Sequence, residues 1–260
     1  MTELYVQRDQ PPGVPPLHLT GERTLPDVPE ENYWFRRHLA VYEWIAARTH
    51  GRRIVDLACG EGYGCAVLAR TAASVVGVDA NPEAFAHARA KYAAPTVAFE
   101  RTMVELWRGD ADCAVFLQTI EHIPDPDGML DHLRELIGPD GVAYVSTPNV
   151  LTLAPKGAER SGNPWHVREY RPEEYRALCA RHFPRVDLLG LFHARRLRAH
   201  QFAIEHLGWD RIHAGLHVTQ PFYDRFTPAI SARDFALRRG DLTRALDLVA
   251  VLRPQAPGPG

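Results

Sequence analysis

Residues 54–64 read IVDLACGEGYG, an apolar run that leads directly into a turn containing three glycines. The apolar residues 54–58 predict a buried strand, and residues 62–73 predict the helix that follows it. Glycine lets the backbone bend sharply and approach a ligand closely. Because a helix N-terminus offers free N–H groups and positive potential, the turn predicts a site for an anionic group such as a carboxylate.

The spacing of the glycines distinguishes two kinds of nucleotide cofactor. A dinucleotide-binding fold favours G-x-G-x-x-G, with the pyrophosphate at the helix N-terminus. Here Gly60, Gly62 and Gly64 are spaced G-x-G-x-G, and Asp56 lies within the strand. An acid in the strand suits the ammonium group of an amino acid better than it suits a pyrophosphate. Asp79 ends the next apolar run, where a carboxylate can accept both hydroxyls of a ribose.

Apolar strand patterns alternate with helical patterns along most of the chain. Strands are predicted at residues 54–58, 75–79, 96–99, 113–118, 142–146, 185–191 and 245–252, and helices at 62–73, 82–92, 126–137 and 172–181. Strands that are apolar throughout and separated by helices indicate a parallel sheet covered on both faces. The sequence therefore predicts an α/β, doubly wound, Rossmann-like domain over residues 51–254.

Other segments flank or interrupt this domain. Prolines in residues 1–20 predict a disordered arm, residues 21–50 a helical lid, and residues 255–260 a frayed tail. Residues 193–244 are too long for a hairpin loop, so we expect an insertion near the substrate or an interface between the copies of a homodimer.

Residues 50–150 resemble class I methyltransferases that use S-adenosylmethionine (SAM). The resemblance implies a seven-stranded sheet with an antiparallel last strand, and Ala58 stands where the family has its first glycine. The aspartate that the family has near residues 102–104 is absent here. By resemblance, the cofactor would contact Asp56, Ala58, Gly60, Gly62, Asp79, Ala80, Asn81, Thr102, Met103, Val104, Gln118 and Thr119.

Residues 118–125 read QTIEHIPD and follow the fourth predicted strand, at the edge where ligands bind in open α/β sheets. Transfer to an alcohol needs a general base, and histidine is the usual choice. His122 is the first candidate, because in related methyltransferases the E-H pair adjoins the active site. The alternative is that Glu121 and His122 only cap the next helix.

Residues 163–170 read NPWHVREY and resemble the N-P-x-H-x-x-E-Y segment of some SAM-dependent methyltransferases acting on sugars. His166 is a second candidate for the base, or for a ligand of a substrate hydroxyl. The alternative is a loop anchor. Mg²⁺ at Glu121, His122, Asp125, His166 and Glu169 is a further hypothesis, but because no single segment has metal-ligand spacing, we predict no metal site.

Residues 31–38 read ENYWFRRH, and in the predicted lid Tyr33 or Arg37 would contact the methionine end of SAM. Arginine suits a carboxylate because of its forked donors. The alternative is that the aromatic residues simply pack on the sheet. Together with residues 163–170, this segment resembles actinobacterial methyltransferases of methylglucose and methylmannose polysaccharide synthesis, which implies a sugar hydroxyl as acceptor.

The composition of the chain limits the partners and the cellular location that we expect. The formal net charge of −2 favours neither nucleic acid nor an anionic membrane as partner. No apolar run reaches the ~18 residues of a membrane span, and the four cysteines form no CxxC pair, so we expect a cytoplasmic protein.

Three rival functions remain. One is methylation of oxygen or carbon on a lipid, quinone or natural product, since the same glycine motif serves all of these acceptors. Another is a non-catalytic SAM-binding protein, against which the intact Glu121, His122 and His166 argue. The third is an NAD-linked oxidoreductase, which the glycine spacing and the lack of a Tyr-x-x-x-Lys pair disfavour.

Overall fold

The computed structural model describes residues 4–5, 10–14, 16–18, 24–26, 28–29, 31–207 and 220–255. Two short strands, β1 (Leu4–Tyr5) and β2 (Leu17–His18), pair near the N-terminus. The other strands are β3 (Arg53–Leu57), β4 (Ser74–Val78), β5 (Val97–Glu100), β6 (Cys113–Leu117), β7 (Val142–Pro148), β8 (Arg185–His193), β9 (Phe235–Arg238) and β10 (Asp247–Arg253).

The helices alternate with these strands over most of the chain. They are α1 (Asn32–Ala46), α2 (Tyr63–Leu68), α3 (Pro82–Tyr92), α4 (Pro126–Ile137), α5 (Val150–Leu153), α6 (Pro172–His182), α7 (Arg195–Leu207) and α8 (Gln220–Phe226). Two of these helices begin with a side chain that caps the helix. The Asn81 side chain accepts from two N–H groups of α3, and the Asp125 side chain accepts from Gly128 N–H at the start of α4.

The central sheet has the strand order β5-β4-β3-β6-β7-β10-β8-β9. Strands β3 to β7 are parallel, and β10 runs antiparallel between β7 and β8. Asp247, at the start of β10, lies opposite Pro148 and Leu191, at the ends of β7 and β8. The carboxyl ends of the parallel strands and the start of β10 therefore meet at one edge, where the site is built.

The prediction of a seven-stranded sheet is wrong, because the described part of the sheet has eight strands. The additional strand, β9, lies within the predicted insertion and pairs antiparallel with residues 190–193 of β8. It is only four residues long and is followed at once by Arg239, Gly240 and Asp241, so its local pattern is too short to indicate a strand. Residues 208–219 of that insertion lie outside the described part.

Two apolar cores cover the two faces of the sheet. One core packs α4 and α6 against the sheet through residues such as Leu130, Leu133 and Tyr175. The other packs α1 and α2 through residues such as Ile45 and Leu68. This is the doubly wound arrangement that the alternation of elements predicts.

The N-terminal arm contributes a small apolar cluster of its own. Leu17, in the segment predicted as disordered, is fully buried with Leu25 and Val28, and His18 lies 2.9 Å from the carboxylate of Glu83. Residues 1–3, 6–9, 15 and 19–20 of the arm, and 256–260 of the predicted tail, are outside the described residues. In the part that is described, no helix combines the length and apolar character that a bilayer crossing needs.

Candidate functional site

The glycine-rich turn after β3 adopts the tight conformation that its sequence predicts. Ala58, Gly60 and Gly62 all have positive φ, at 59°, 57° and 94°. A Cβ on Gly62 would lie 2.8 Å from the Cβ of Ala88, so a side chain does not fit there. Ala58 adopts the same left-handed region despite its Cβ, which is uncommon and marks strain of the kind that clusters at ligand sites.

Asp79 links this turn to the end of β4. Its Oδ2 accepts from Gly60 N–H at 2.9 Å, and its Oδ1 accepts from Asn81 N–H at 2.8 Å. The carboxylate is half-buried and borders the cavity. It therefore lies where an acid can accept hydrogen bonds from a ribose diol.

A cavity of about 550 Å³ opens beside the turn. This volume is in the range of small-molecule sites. Its lining includes seven predicted site residues, namely Ala58, Gly60, Asp79, Asn81, Gln118, Thr119 and His122. Gln118 is a second non-glycine residue with positive φ, at 50°, and its Nε2 donates to Ser146 Oγ at 2.9 Å. A strained turn, an acid that borders the cavity and a cavity of this size together fit SAM.

Asp56 lies beneath the turn and outside the cavity lining. It is fully buried, and it accepts from Tyr42 Oη at 3.3 Å and from Cys65 Sγ at 3.4 Å. Burial raises the pKa of Asp56 to about 7, although the two hydrogen bonds oppose the rise. Tyr42 does border the cavity, so Asp56 acts on the site through that residue rather than by direct contact.

The residues predicted to hold the adenine are not brought into the cavity lining. Thr102 and Met103 precede a 3₁₀ turn that begins at Val104; Met103 is 52% exposed and Val104 is buried in the core. Ala80 is exposed beside Asp79, and Gly62 begins α2. None of these five residues is part of the cavity lining.

Arg37 and Tyr33 are also outside the cavity lining. Arg37 is buried, donates to both carboxylate oxygens of Asp247, and donates to Leu246 O at 2.8 Å. Tyr33 Oη lies 2.7 Å from His193 Nε2. Arg37 thus fastens α1 to the start of β10, and no local pattern in the sequence could indicate a partner 210 residues away.

Several residues of the cavity wall were not predicted from the sequence. Thr24, His38 and Tyr42 contribute from the N-terminal region, and Thr24 Oγ1 lies 3.3 Å from both His38 Nδ1 and Tyr63 Oη. Burial lowers the pKa of His38 to about 4, with the nearby Asp247 opposing the change. His38 is thus neutral at pH 7. Trp165, 65% exposed, borders the same cavity from the loop after β7.

His122 stands in the cavity wall, on a 3₁₀ turn after β6. Its Nδ1 lies 2.9 Å from the carbonyl oxygen of Trp165. Since a carbonyl only accepts, Nδ1 carries the proton of the neutral ring and Nε2 carries the lone pair. This is the tautomer that a general base acting through Nε2 requires.

The imidazole ring of His166 lies beside that of His122, with 5.1 Å between the two ring centroids. Its Nδ1 lies 2.7 Å from Glu169 Oε1, and its Nε2 lies 3.1 Å from Asn163 Nδ2. Although burial raises the pKa of Glu169, hydrogen bonds from Ser161 and His166 hold it below its usual value. His166 is buried and is not part of the cavity lining, and its hydrogen bonds to Glu169 and Asn163 lie within the loop that carries Trp165.

Three of the five residues considered for Mg²⁺ lie together. Glu121, His122 and His166 each offer one ligand atom within 4.8 Å of the others. Glu169 is engaged with His166, and Asp125 caps α4. Two imidazole nitrogens and one carboxylate are a donor set for transition metals rather than for Mg²⁺, which prefers oxygen. The donor chemistry therefore does not fit Mg²⁺.

Comparison with known proteins gives a consistent result. Residues 31–202 match the family described as methyltransferase domain. A probable S-adenosylmethionine-dependent methyltransferase of Mycolicibacterium smegmatis is 42% identical over 185 residues, which are 70% of this chain and 71% of that protein. A ubiquinone biosynthesis O-methyltransferase of Pseudomonas aeruginosa is 30% identical over 128 residues, 45% of this chain and 55% of that protein.

Solved structures share the fold at low sequence identity. A SAM-dependent methyltransferase from Thermotoga maritima superposes with a TM-score of 0.57 at 15% identity, covering 87% of this chain and 95% of the other. The similarity supports the Rossmann-like α/β architecture of the described sheet.

Proposed function

Because this chain belongs to the methyltransferase domain family and is a SAM-dependent methyltransferase, we propose that it methylates a hydroxyl of a sugar or oligosaccharide, with His122 as general base. The observation that carries the base assignment is the pairing of His122 Nδ1 with the Trp165 carbonyl, 2.9 Å away, at the wall of the cavity. In this tautomer Nε2 is the ring nitrogen that can accept the proton of an acceptor hydroxyl.

His122 is preferred to His166 on position. His122 borders the cavity, whereas His166 is buried behind it and engaged with Glu169 and Asn163. In this proposal His166 holds the loop in place, and the buried Glu121 supports the same 3₁₀ turn.

SAM supplies a methyl group that its sulfonium already activates, so the chain mainly positions the acceptor and receives its proton. Asp79 and the turn from Ala58 to Gly60 hold the ribose and amino-acid parts in the proposed arrangement. Trp165, 65% exposed at the cavity, offers an apolar ring face beside the base. Such a face suits the C–H side of a pyranose and leaves its hydroxyls free for the base.

A second candidate is a phenolic or quinol hydroxyl. The similarity to a ubiquinone biosynthesis O-methyltransferase favours it, although that alignment covers only 45% of this chain. Trp165 could stack on an aromatic ring as well as on a sugar. The base and cofactor residues would be the same in both cases.

Transfer of labelled methyl from SAM to hexoses, partly methylated oligosaccharides and simple phenols tests both candidates. We expect label on the carbohydrates. Label on phenols alone would replace the first candidate by the second, and absence of transfer with intact SAM binding would favour a non-catalytic SAM-binding protein.

The His122→Ala variant tests the base with whichever acceptor accepts label. Loss of a general base lowers kcat by roughly 10²- to 10⁴-fold, while SAM affinity by calorimetry should stay within about threefold. His50→Ala is the matched control, since His50 is exposed at the end of the α1–β3 connection. Equal kcat in His122→Ala and wild type would remove His122 from the role.

A further inference from the structure

A second, larger cavity of about 780 Å³ lies beyond the end of β8. It is bounded by α7 on one side and by the turn after β9 on the other. Its lining includes five arginines, namely Arg195, Arg198, Arg238, Arg239 and Arg244. None of the residues predicted to bind cofactor or to act in catalysis is part of this lining.

The charge of this cavity is opposite to that of the whole chain. The chain carries a formal charge of −2, yet the five arginines face a single acidic residue of the lining, Asp241. Asp241 already accepts from Thr243 N–H at 3.0 Å and from Thr243 Oγ1 at 2.6 Å. A concave surface lined by one sign of charge focuses its potential and concentrates ligands of the other sign.

Helix α7 directs two of these arginines into the cavity. Arg195 and Arg198 are three residues apart, so they share one face of the helix. Arg196, on another face, instead reaches Asp234 at 3.3 Å. Arg239 pairs with Asp187 at 2.7 Å, and Arg195 and Arg198 supply charge beyond that ion pair.

Strained backbone occurs at this cavity and also at the cavity of about 550 Å³ beside the glycine-rich turn, which we call the cofactor cavity. Within the described ranges, three non-glycine residues have positive φ: Ala58, Gln118 and Arg195. Ala58 and Gln118 line the cofactor cavity, and Arg195, with φ of 45°, lines the basic one. Sparsely populated backbone conformations of this kind cluster at ligand sites.

We propose that the basic cavity binds a phosphorylated ligand, either a phosphate ester or a diphosphate. Guanidinium groups match phosphate oxygens with forked, charge-assisted hydrogen bonds. The phosphate belongs either to the methyl acceptor or to a separate small molecule. The first source is within reach, because β8 ends three strands from β6 at the same edge of the sheet, about 14 Å at the usual spacing between strands.

Calorimetric titration with inorganic pyrophosphate at low salt tests the site directly. We expect the wild type to bind pyrophosphate, and the double variant Arg195→Gln/Arg198→Gln to bind it at least tenfold more weakly. The matched control is Arg89→Gln/Arg176→Gln, which removes the same charge from exposed positions on α3 and α6. Thermal unfolding and SAM affinity, unchanged in both doubles, would show that the variants fold.

A comparison of phosphorylated and neutral acceptors then identifies the source of the phosphate. If it belongs to the acceptor, hexose phosphates show a lower KM than hexoses, and the double variant abolishes that difference at constant kcat. If it belongs to a separate molecule, pyrophosphate binding depends on the two arginines but acceptor KM does not.

Two results would overturn the proposal. One is absence of pyrophosphate binding by the wild type. The other is equal pyrophosphate affinity in the cavity variant and the control variant, which would indicate charge attraction by the surface as a whole. Neither result would affect the assignment of the chain as a methyltransferase, because SAM binding is measured separately.

Discussion

At the scale of single residues, Asp79 joins the two halves of the cofactor site. Its two carboxylate oxygens accept from Gly60 N–H and from Asn81 N–H, so one side chain fixes both the turn after β3 and the start of α3. The carboxylate borders the cavity and has further lone pairs with which it can accept hydrogen bonds.

The Asp79→Asn variant should weaken SAM binding at least tenfold. An amide keeps the size of the side chain but has one accepting oxygen, and a lost charge-assisted hydrogen bond costs roughly 1.5–3 kcal/mol. Calorimetry with SAM measures the change. Asp110→Asn, at an exposed position before β6, is the control. Unchanged affinity in Asp79→Asn would contradict its assignment as the ribose ligand.

The buried carboxyl group of Asp56 makes the free energy of unfolding depend on pH. Burial raises the pKa of this carboxyl to about 7, above its ordinary value of 3.8, so the folded state retains a proton that the unfolded chain releases. Its contribution to the free energy of unfolding is therefore complete only below pH 3.8 and is lost as the pH rises from there to about 7.

The Asp56→Asn variant resembles the protonated acid at every pH. We expect its stability relative to wild type to increase from pH 5 to pH 8 by up to about 2.7 kcal/mol, because this interval covers about two pKa units at 1.36 kcal/mol each. Urea unfolding at the two pH values measures it. A stability difference that is the same at pH 5 and pH 8 would show that Asp56 does not titrate in this range.

At the scale of elements, α1 is attached to the C-terminal half by buried polar contacts. Arg37 pairs with Asp247 of β10, and both side chains are almost fully buried. Asn32 Nδ2 donates to Thr227 O at 2.7 Å and to Ile230 O at 3.1 Å. These contacts place His38 and Tyr42 of the same helix at the cofactor cavity.

The Arg37→Gln variant should lower the free energy of unfolding by about 3–5 kcal/mol, because it leaves Asp247 buried without its charge partner. The second substitution in Arg37→Gln/Asp247→Asn should recover part of that loss. The exposed pair Arg53–Asp112 is the control, where Arg53→Gln should cost at most about 1 kcal/mol. If Arg37→Gln and Arg53→Gln lowered the free energy of unfolding equally, burial would not explain the importance of the Arg37–Asp247 pair.

The sequence predicted the elements that carry a local pattern. Strand β6 is apolar throughout, and β3 is apolar except at Arg53 and Asp56. Helices α3 and α4 each begin with a capping residue followed by proline, so all four elements are recognisable within a short window. The turn residues Ala58 and Gly60 and the acid Asp79 were predicted for the same reason, and all three border one cavity.

What the sequence could not predict depends on contacts between distant segments. β9 has four residues, and its pairing with β8 crosses a gap of about forty residues. His38 enters the cavity wall only because Arg37 and Asn32 hold α1 against residues 227–247. The tautomer of His122 depends on a carbonyl 43 residues away. None of these relations leaves a periodic signal in the chain.

At the scale of the whole molecule, two cavities of different chemistry lie along one edge of the sheet. The cofactor cavity lies around the ends of β3, β4 and β6, and the basic cavity lies beyond the end of β8. Tyr33 of α1 contacts His193, which lines the basic cavity, while His38 of the same helix lines the other. Helix α1 therefore lines the cofactor cavity and contacts one residue of the basic cavity.

The long-range attachment of α1 has a consequence for synthesis on the ribosome. Thr227, Ile230 and Asp247 are translated 195 to 210 residues after the residues of α1 that they contact. At ~5–20 residues per second, Arg37 lacks its final partner for on the order of ten to forty seconds after its own synthesis. The wall of the cofactor cavity is therefore completed only after Asp247 has been added to the nascent chain.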